Sequence, residues 1–229
     1  RYLETAARLE TALTRFWERS GVSAMASECW SVFKREFGVE TCVTFGRLSA
    51  KGMLCACESD VLGAVSMLAT HRAVLGATPP HFIDWTIQHP SEKNRVLAWH
   101  CGNAPACLAN CGNKPPVRSR GNMDGSLPPA EEEDYGLYNF QLKPGPVTVC
   151  RLAELEGQWK MLIVPATIVE SDEANNGTWS WVQVSDHDTF YRALIENGFI
   201  HHASMVHGAC ADALERACAF LGIEPVVVK

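Results

Sequence analysis

Apolar residues recur at helical spacing through the first forty positions: Leu3, Ala6, Leu9, Leu13 and Phe16, then Trp30, Phe33 and Phe37 before Gly38. A side chain every three or four positions lies on one face of a 3.6-residue helix, so the pattern predicts two helices. The period then changes. Four short apolar runs follow at 41–45, 53–57, 81–85 and 95–99, with a helical segment over 60–71 on which Val61, Ala64, Val65 and Leu68 share a face. Ser59 or Asp60 is placed to cap that helix. Apolar strands alternating with helices predict an α/β sheet portion over residues 1–112, buried on both faces.

Beyond residue 110 the pattern shifts again. Residues 110–129 carry Gly, Asn, Pro and basic residues with few large apolar side chains, and read as a linker or long functional loop. The runs 136–142, 147–152, 159–168 and 178–184 are rich in β-branched and aromatic residues, and the segments between them include Lys143-Pro144-Gly145-Pro146, Glu156-Gly157 and Asn175-Asn176-Gly177. Closely spaced strands joined by turn residues predict a mostly antiparallel, β-barrel-like domain over 113–229. Helices at 188–196 and 209–221, and runs at 200–206 and 226–228, flank or complete it. The expected fold is α+β overall.

Composition narrows the classes of function. With 229 residues and 47% apolar side chains the chain can bury a substantial core, and its net charge of −6 provides no basic footprint for nucleic acid. The acidic residues are dispersed except for the run Glu131-Glu132-Glu133-Asp134. No apolar run approaches the roughly 20 residues that span a bilayer, and the start lacks the basic-then-apolar pattern of a signal peptide, so a cytoplasmic protein with no membrane partner is expected. Cys42, Cys55, Cys57 and Cys150 lie inside apolar runs, as buried thiols do in a reducing compartment. Cys101, Cys107 and Cys111 lack the CxxC pairing of a zinc knuckle.

Candidate chemistry lies at strand ends. Glu58 follows the run 53–57, Asp84 lies near the end of 81–85, His100 follows 95–99, and His207 ends 200–206 just before Gly208. In open α/β sheets the carboxyl edge of the strands is where ligands bind. Two carboxylates and an imidazole suit a hard to borderline divalent cation such as Mn2+ or Mg2+. Each residue alone also has a plainer reading: Glu58 or Asp60 as a helix cap, Asp84 as a hydrogen-bonded buried acid, His207 as a core histidine.

Several segments together resemble the C-terminal half of the L-fucose isomerase and L-arabinose isomerase superfamily. Residues 57–64 (CESDVLGA) are similar to the segment bearing that family's first ligand glutamate, Asp84 falls where a second acidic ligand stands, and residues 99–103 (WHCGN) are similar to a further active-site segment. Residues 202–208 (HASMVHG) resemble the segment of the last histidine ligand, and residues 143–148 and 177–184 look like the family's barrel domain. The resemblance implies a metal-dependent aldose–ketose isomerase acting on a pentose or 6-deoxyhexose through an enediol. It further implies Mn2+ held by Glu58, Asp84 and His207, with Glu58 and Asp84 also serving as acid and base. His100 is implied as an additional ligand or a substrate contact. It also implies a homo-oligomer, trimer or hexamer, with sugar bound between subunits, and further α/β sequence ahead of Arg1. Two other readings compete: a non-catalytic sugar-binding or regulatory domain on the same fold, and a thiol enzyme using Cys101 beside His100.

Overall fold

A computed structural model describes residues 2–29, 32–112, 114–119 and 135–229. The acidic run at 131–134 and most of the predicted 110–129 linker lie outside the described residues, as does Trp30. The chain opens with helix α1 (Tyr2–Ser20), a short strand β1 (Ala24–Ala26) and helices α2 (Val32–Phe37) and α3 (Cys42–Ala50). Strand β2 (Leu54–Ala56) and helix α4 (Val61–Ala73) follow, then β3 (His81–Gln88) and β4 (Arg95–His100). After a single 3-10 turn at Ala106–Leu108 come β5 (Val117–Ser119), β6 (Tyr135–Tyr138), β7 (Phe140–Gln141), β8 (Gly145–Leu155), β9 (Gln158–Val169) and β10 (Thr178–Gln183). Helix α5 (His187–Glu196), β11 (His202–His207), α6 (Ala211–Leu221) and β12 (Glu224–Val227) complete it.

Six strands close into an antiparallel barrel in the order β9, β8, β11, β3, β4, β10, with β10 returning to β9. Strands β12 and β7 are added in parallel, β12 on β9 and β7 on β10. The barrel therefore draws strands from both sides of residue 112. The fold is mixed α+β, as the sequence pattern implied. Two elements differ from that pattern. The run 41–45 is not a strand but the start of α3, a helix buried nearly all round through Cys42, Val43, Thr44, Phe45, Gly46, Leu48 and Ser49. A short continuous apolar run carries no period that separates a buried strand from a buried helix. Gly46 marks the packing: a Cβ there would lie 2.7 Å from the Ala104 carbonyl oxygen. The second difference is that β3 and β4 pair antiparallel with each other, and among the described strands before residue 112 β1 and β2 alone pair in parallel.

Alternation along the strands sorts the core. Ile83, Trp85, Val96, Ala98, Val147, Val149, Leu162, Val164, Ala203 and Met205 form one cluster, filling the barrel from alternate positions of neighbouring strands. The intervening positions Cys150, Leu152, Ile163 and Val206 face outward and are covered by Leu62, Ala69 and Ala73 of α4 with Leu214 and Cys218 of α6. Two hydroxyls pin α4 to this outer wall: Ser66 Oγ accepts the Leu152 N–H at 2.8 Å, and Thr70 Oγ1 lies 2.7 Å from Ser204 Oγ. Each such buried bond contributes about 1 kcal/mol. Their consequence is positional, because they hold α4, and the β2–α4 loop that leads into it, against the outer face of β8 and β11.

Candidate metal centre

The β2–α4 loop is built under strain. Glu58 and Ser59 both have positive φ, 59° and 58°, a region that costs a non-glycine residue of order 1 kcal/mol or more. The backbone secures it: Ser59 N–H donates to Ser27 O at 3.2 Å and Asp60 N–H to Cys57 O at 3.1 Å. Asp60 caps α4, its Oδ1 accepting the Gly63 N–H at 2.8 Å. Its other oxygen, Oδ2, accepts from His202 Nδ1 at 3.0 Å and from Arg151 Nη1 in a very short contact. Burial alone would raise the Asp60 pKa, but those donors hold its carboxyl well below the usual range.

Across the loop, β11 pairs antiparallel with β3 so that His202 stands directly opposite Asp84, and Asp84 opposite Trp99 on β4. Directly paired residues share a face of the sheet. His202 Nε2 lies 3.4 Å from Asp84 Oδ1 and 3.5 Å from Glu58 Oε2. Both His202 Nε2 and Asp84 Oδ1 are buried without a hydrogen-bond partner among the described residues. Burial pushes the Asp84 carboxyl up to about 7, with Glu58 adding to the shift and His202 opposing it. Burial would depress His202, yet the Asp60 hydrogen bond and the charges of Asp84, Asp60 and Glu58 together raise it. His201 completes the surroundings: its exposed ring is 4.4 Å from that of His202, with Nε2 3.9 Å from Asp84 Oδ1. Atoms of Asp84, His201 and His202 fall within 4.8 Å of one another.

Two of the four expected site residues therefore meet here. His207 does not: it is five residues along β11 from His202, roughly 16 Å at strand rise, and an odd separation turns it to the opposite face. Its Nε2 hydrogen-bonds the Lys143 carbonyl at 2.9 Å. The strand-end rule that selected it holds for parallel sheets, where all carboxyl ends share one edge; in an antiparallel pair, the neighbour's amino end lies beside that edge. His202, at the start of β11, is the histidine that reaches Asp84. It lies in the same seven-residue segment that carried the resemblance, at the opposite end from His207. His100 is buried at the end of β4, where its Nδ1 accepts the Cys101 N–H at 2.9 Å and its ring lies 5.4 Å from that of Phe82. It is not among the residues whose ligand atoms gather within 4.8 Å of one another.

A buried imidazole nitrogen and carboxylate oxygen pointed at each other without a hydrogen bond, with a second carboxylate alongside, form a donor set that fits a divalent cation. Fold and site together define an α+β protein with a carboxylate–imidazole cluster on the outer wall of a closed antiparallel barrel. A sequence profile of the L-fucose isomerase C-terminal domain matches residues 98–229, and the chain belongs to that family. Among curated proteins it is similar to the sulfoquinovose isomerases of Priestia aryabhattai and Priestia megaterium, 27% identical over 223 residues, covering 96% of this chain and 47% of theirs. It is also similar to the sulfoquinovose isomerase of Clostridium sp. (strain MSTE9), 26% identical over 230 residues, covering 97% of this chain and 48% of that one. The chain spans about half the length of these relatives. No helix among the described residues is long and apolar enough to cross a membrane.

Proposed function

We propose that the protein interconverts an aldose and a ketose at a divalent cation, Mn2+ first among candidates, held by Glu58, Asp84 and His202. The observation that carries this reading is the convergence of His202 Nε2 on both carboxylates, 3.4 and 3.5 Å away, while its Nδ1 is occupied by Asp60. A bound cation supplies Lewis-acid polarisation of a sugar's carbonyl and neighbouring hydroxyl.

The rest of the chemistry belongs to the chain. Aldose–ketose isomerisation shifts one proton between adjacent carbons and another between their oxygens, so it requires a group that takes a proton and one that returns it. Glu58 and Asp84 offer two carboxyls from different elements, a strained loop and a strand of the barrel wall. Burial pushes the Asp84 carboxyl up to about 7 in the metal-free site, so cation binding there displaces a proton and should strengthen as pH rises through that value. Trp99 shares the face of Asp84, and its indole N–H is tied to the Asn176 carbonyl at 2.6 Å, which fixes a half-buried ring beside the cluster. Gly177 allows that closeness, since a Cβ there would meet the His100 carbonyl at 2.3 Å and Trp99 Nε1 at 3.0 Å. A rigid aromatic face next to a hydrogen-bonding cluster suits a sugar.

The names of the family and the relatives favour a six-carbon sugar altered at C6, where fucose has a methyl group and sulfoquinovose a sulfonate. A pentose is the other substrate class that the resemblance implied. The test is to incubate the intact protein with Mn2+ and sulfoquinovose, L-fucose or L-arabinose, and follow ketose formation by NMR. Turnover of one of these that chelator abolishes and Mn2+ restores is the expected result. Tight Mn2+ binding with no interconversion of any sugar would leave the non-catalytic sugar-binding reading in its place.

A further inference from the structure

We infer that Asp60, backed by Arg151, is a positioning residue that holds His202 with its proton on Nδ1 and its Nε2 lone pair facing Glu58 and Asp84; this rests on the cation site proposed above. Three observations support it. Asp60 divides its two oxygens: Oδ1 is committed to capping α4 through Gly63, and Oδ2 receives both His202 Nδ1 and Arg151. The pair is enclosed, the Arg151 side chain being 5% exposed and that of Asp60 9%. Finally, the orphaned nitrogen of His202 is Nε2, the one not bound to Asp60.

These observations make different demands on the residues. A cap alone would be met by Ser, Thr or Asn as well as Asp. A buried arginine alone would need only a counter-charge. Asparagine at position 60 cannot reproduce both functions, because its single oxygen serves either the Gly63 N–H or the two donors on the other side. Aspartate supplies acceptors in both directions, and only the Oδ2 side reaches a residue of the cation cluster. An imidazole whose Nδ1 donates to a carboxylate has a fixed ring orientation and a more basic Nε2, which is what a cation ligand requires. Arg151, bonded to the same Oδ2, anchors the Asp60 carboxyl and prevents it from swinging away. The chain Arg151, Asp60, His202 thus runs from the barrel wall through the α4 cap to the cluster, and it ties helix packing to ligand orientation.

The test is Mn2+ titration of metal-stripped intact protein, followed calorimetrically, with thermal melting of the metal-free protein as a control for folding. Asp60→Asn is expected to weaken Mn2+ binding by about 10- to 100-fold. Because that variant leaves Arg151 buried without a counter-charge and could unfold, Asp60→Asn/Arg151→Gln, which removes both charges together, is the companion and is expected to show the same loss. On a His202→Gln background, where a weaker amide ligand remains but no ring needs orienting, the same pair of changes is expected to alter affinity less than about two-fold. Variants that melt lower yet bind Mn2+ as the wild type does would make the pair a structural strut and overturn the inference. An undiminished loss on the His202→Gln background would overturn it too, because the pair would then act through another ligand. Wild-type protein that takes up no Mn2+ overturns the cation site itself, an outcome separate from either of these.

Discussion

Two buried histidines on adjacent barrel strands, His81 on β3 and His202 on β11, are 1% and 6% exposed, yet their surroundings shift them in opposite directions. His81 shares the inward alternation of Ile83 and Trp85. Its Nε2 lies 3.2 Å from both Asn103 Oδ1 and Thr178 Oγ1, which are neutral groups. Burial therefore dominates and holds its pKa down to about 3, so the ring is neutral. His202 faces outward among Asp60, Asp84 and Glu58, and those carboxylates outweigh burial and raise it. The lesson is that burial alone does not mark a functional histidine. Charged partners, and a nitrogen left facing them, do.

The largest expected effect lies at His202. His202→Ala is expected to lower Mn2+ affinity by more than about 100-fold, beyond the range of changes outside the ligand shell. An unchanged titration would return His202 to the same class as His81. Next in size is Glu58→Gln, which removes a ligand charge and a proton acceptor together and should cost about 100- to 10,000-fold in turnover. Near-normal rates in the intact enzyme would remove Glu58 from the chemistry.

His81→Gln tests the other half of the comparison through stability. Between a folded pKa of about 3 and an unfolded value near 6.5, the unfolded chain binds a proton that the folded protein refuses. The contribution of His81 is thus complete above about pH 6.5 and lost as pH falls, by about 2 kcal/mol between pH 7 and pH 5. Urea midpoints of metal-free protein at the two pH values should show the wild type losing that much more than the variant; parallel losses would mean that His81 titrates as it does in water. The smallest effect belongs to His207→Asn. With His207 on the opposite face and bonded to the Lys143 carbonyl, Mn2+ affinity should change less than about two-fold.

Much of the fold was legible from local pattern. The α4 segment could be read from Val61, Ala64, Val65 and Leu68, and its cap from Ser59 or Asp60, because capping involves neighbours in sequence. The β8–β9 hairpin followed from Glu156-Gly157, both of which adopt the positive φ, 54° and 80°, that a tight two-residue turn needs. The nature of 41–45 was not legible, since a short apolar run fits a buried helix as well as a strand.

The site divides along the same line. Sequence alone singled out Glu58 just after one apolar run and Asp84 near the end of another, and the segment 202–208 by resemblance, because residue chemistry and local pattern are written in one dimension. Strand direction is not. Whether β11 runs with or against β3 is decided by barrel closure, and that choice brings the amino end of β11, with His202, to Asp84 and carries His207 away. The same closure assigns Asp60 its second role, since its partners His202 and Arg151 lie 142 and 91 residues along the chain. Pairings at that separation come from packing α4 on the outer wall through Ser66 and Thr70, and no periodicity near residue 60 contains them.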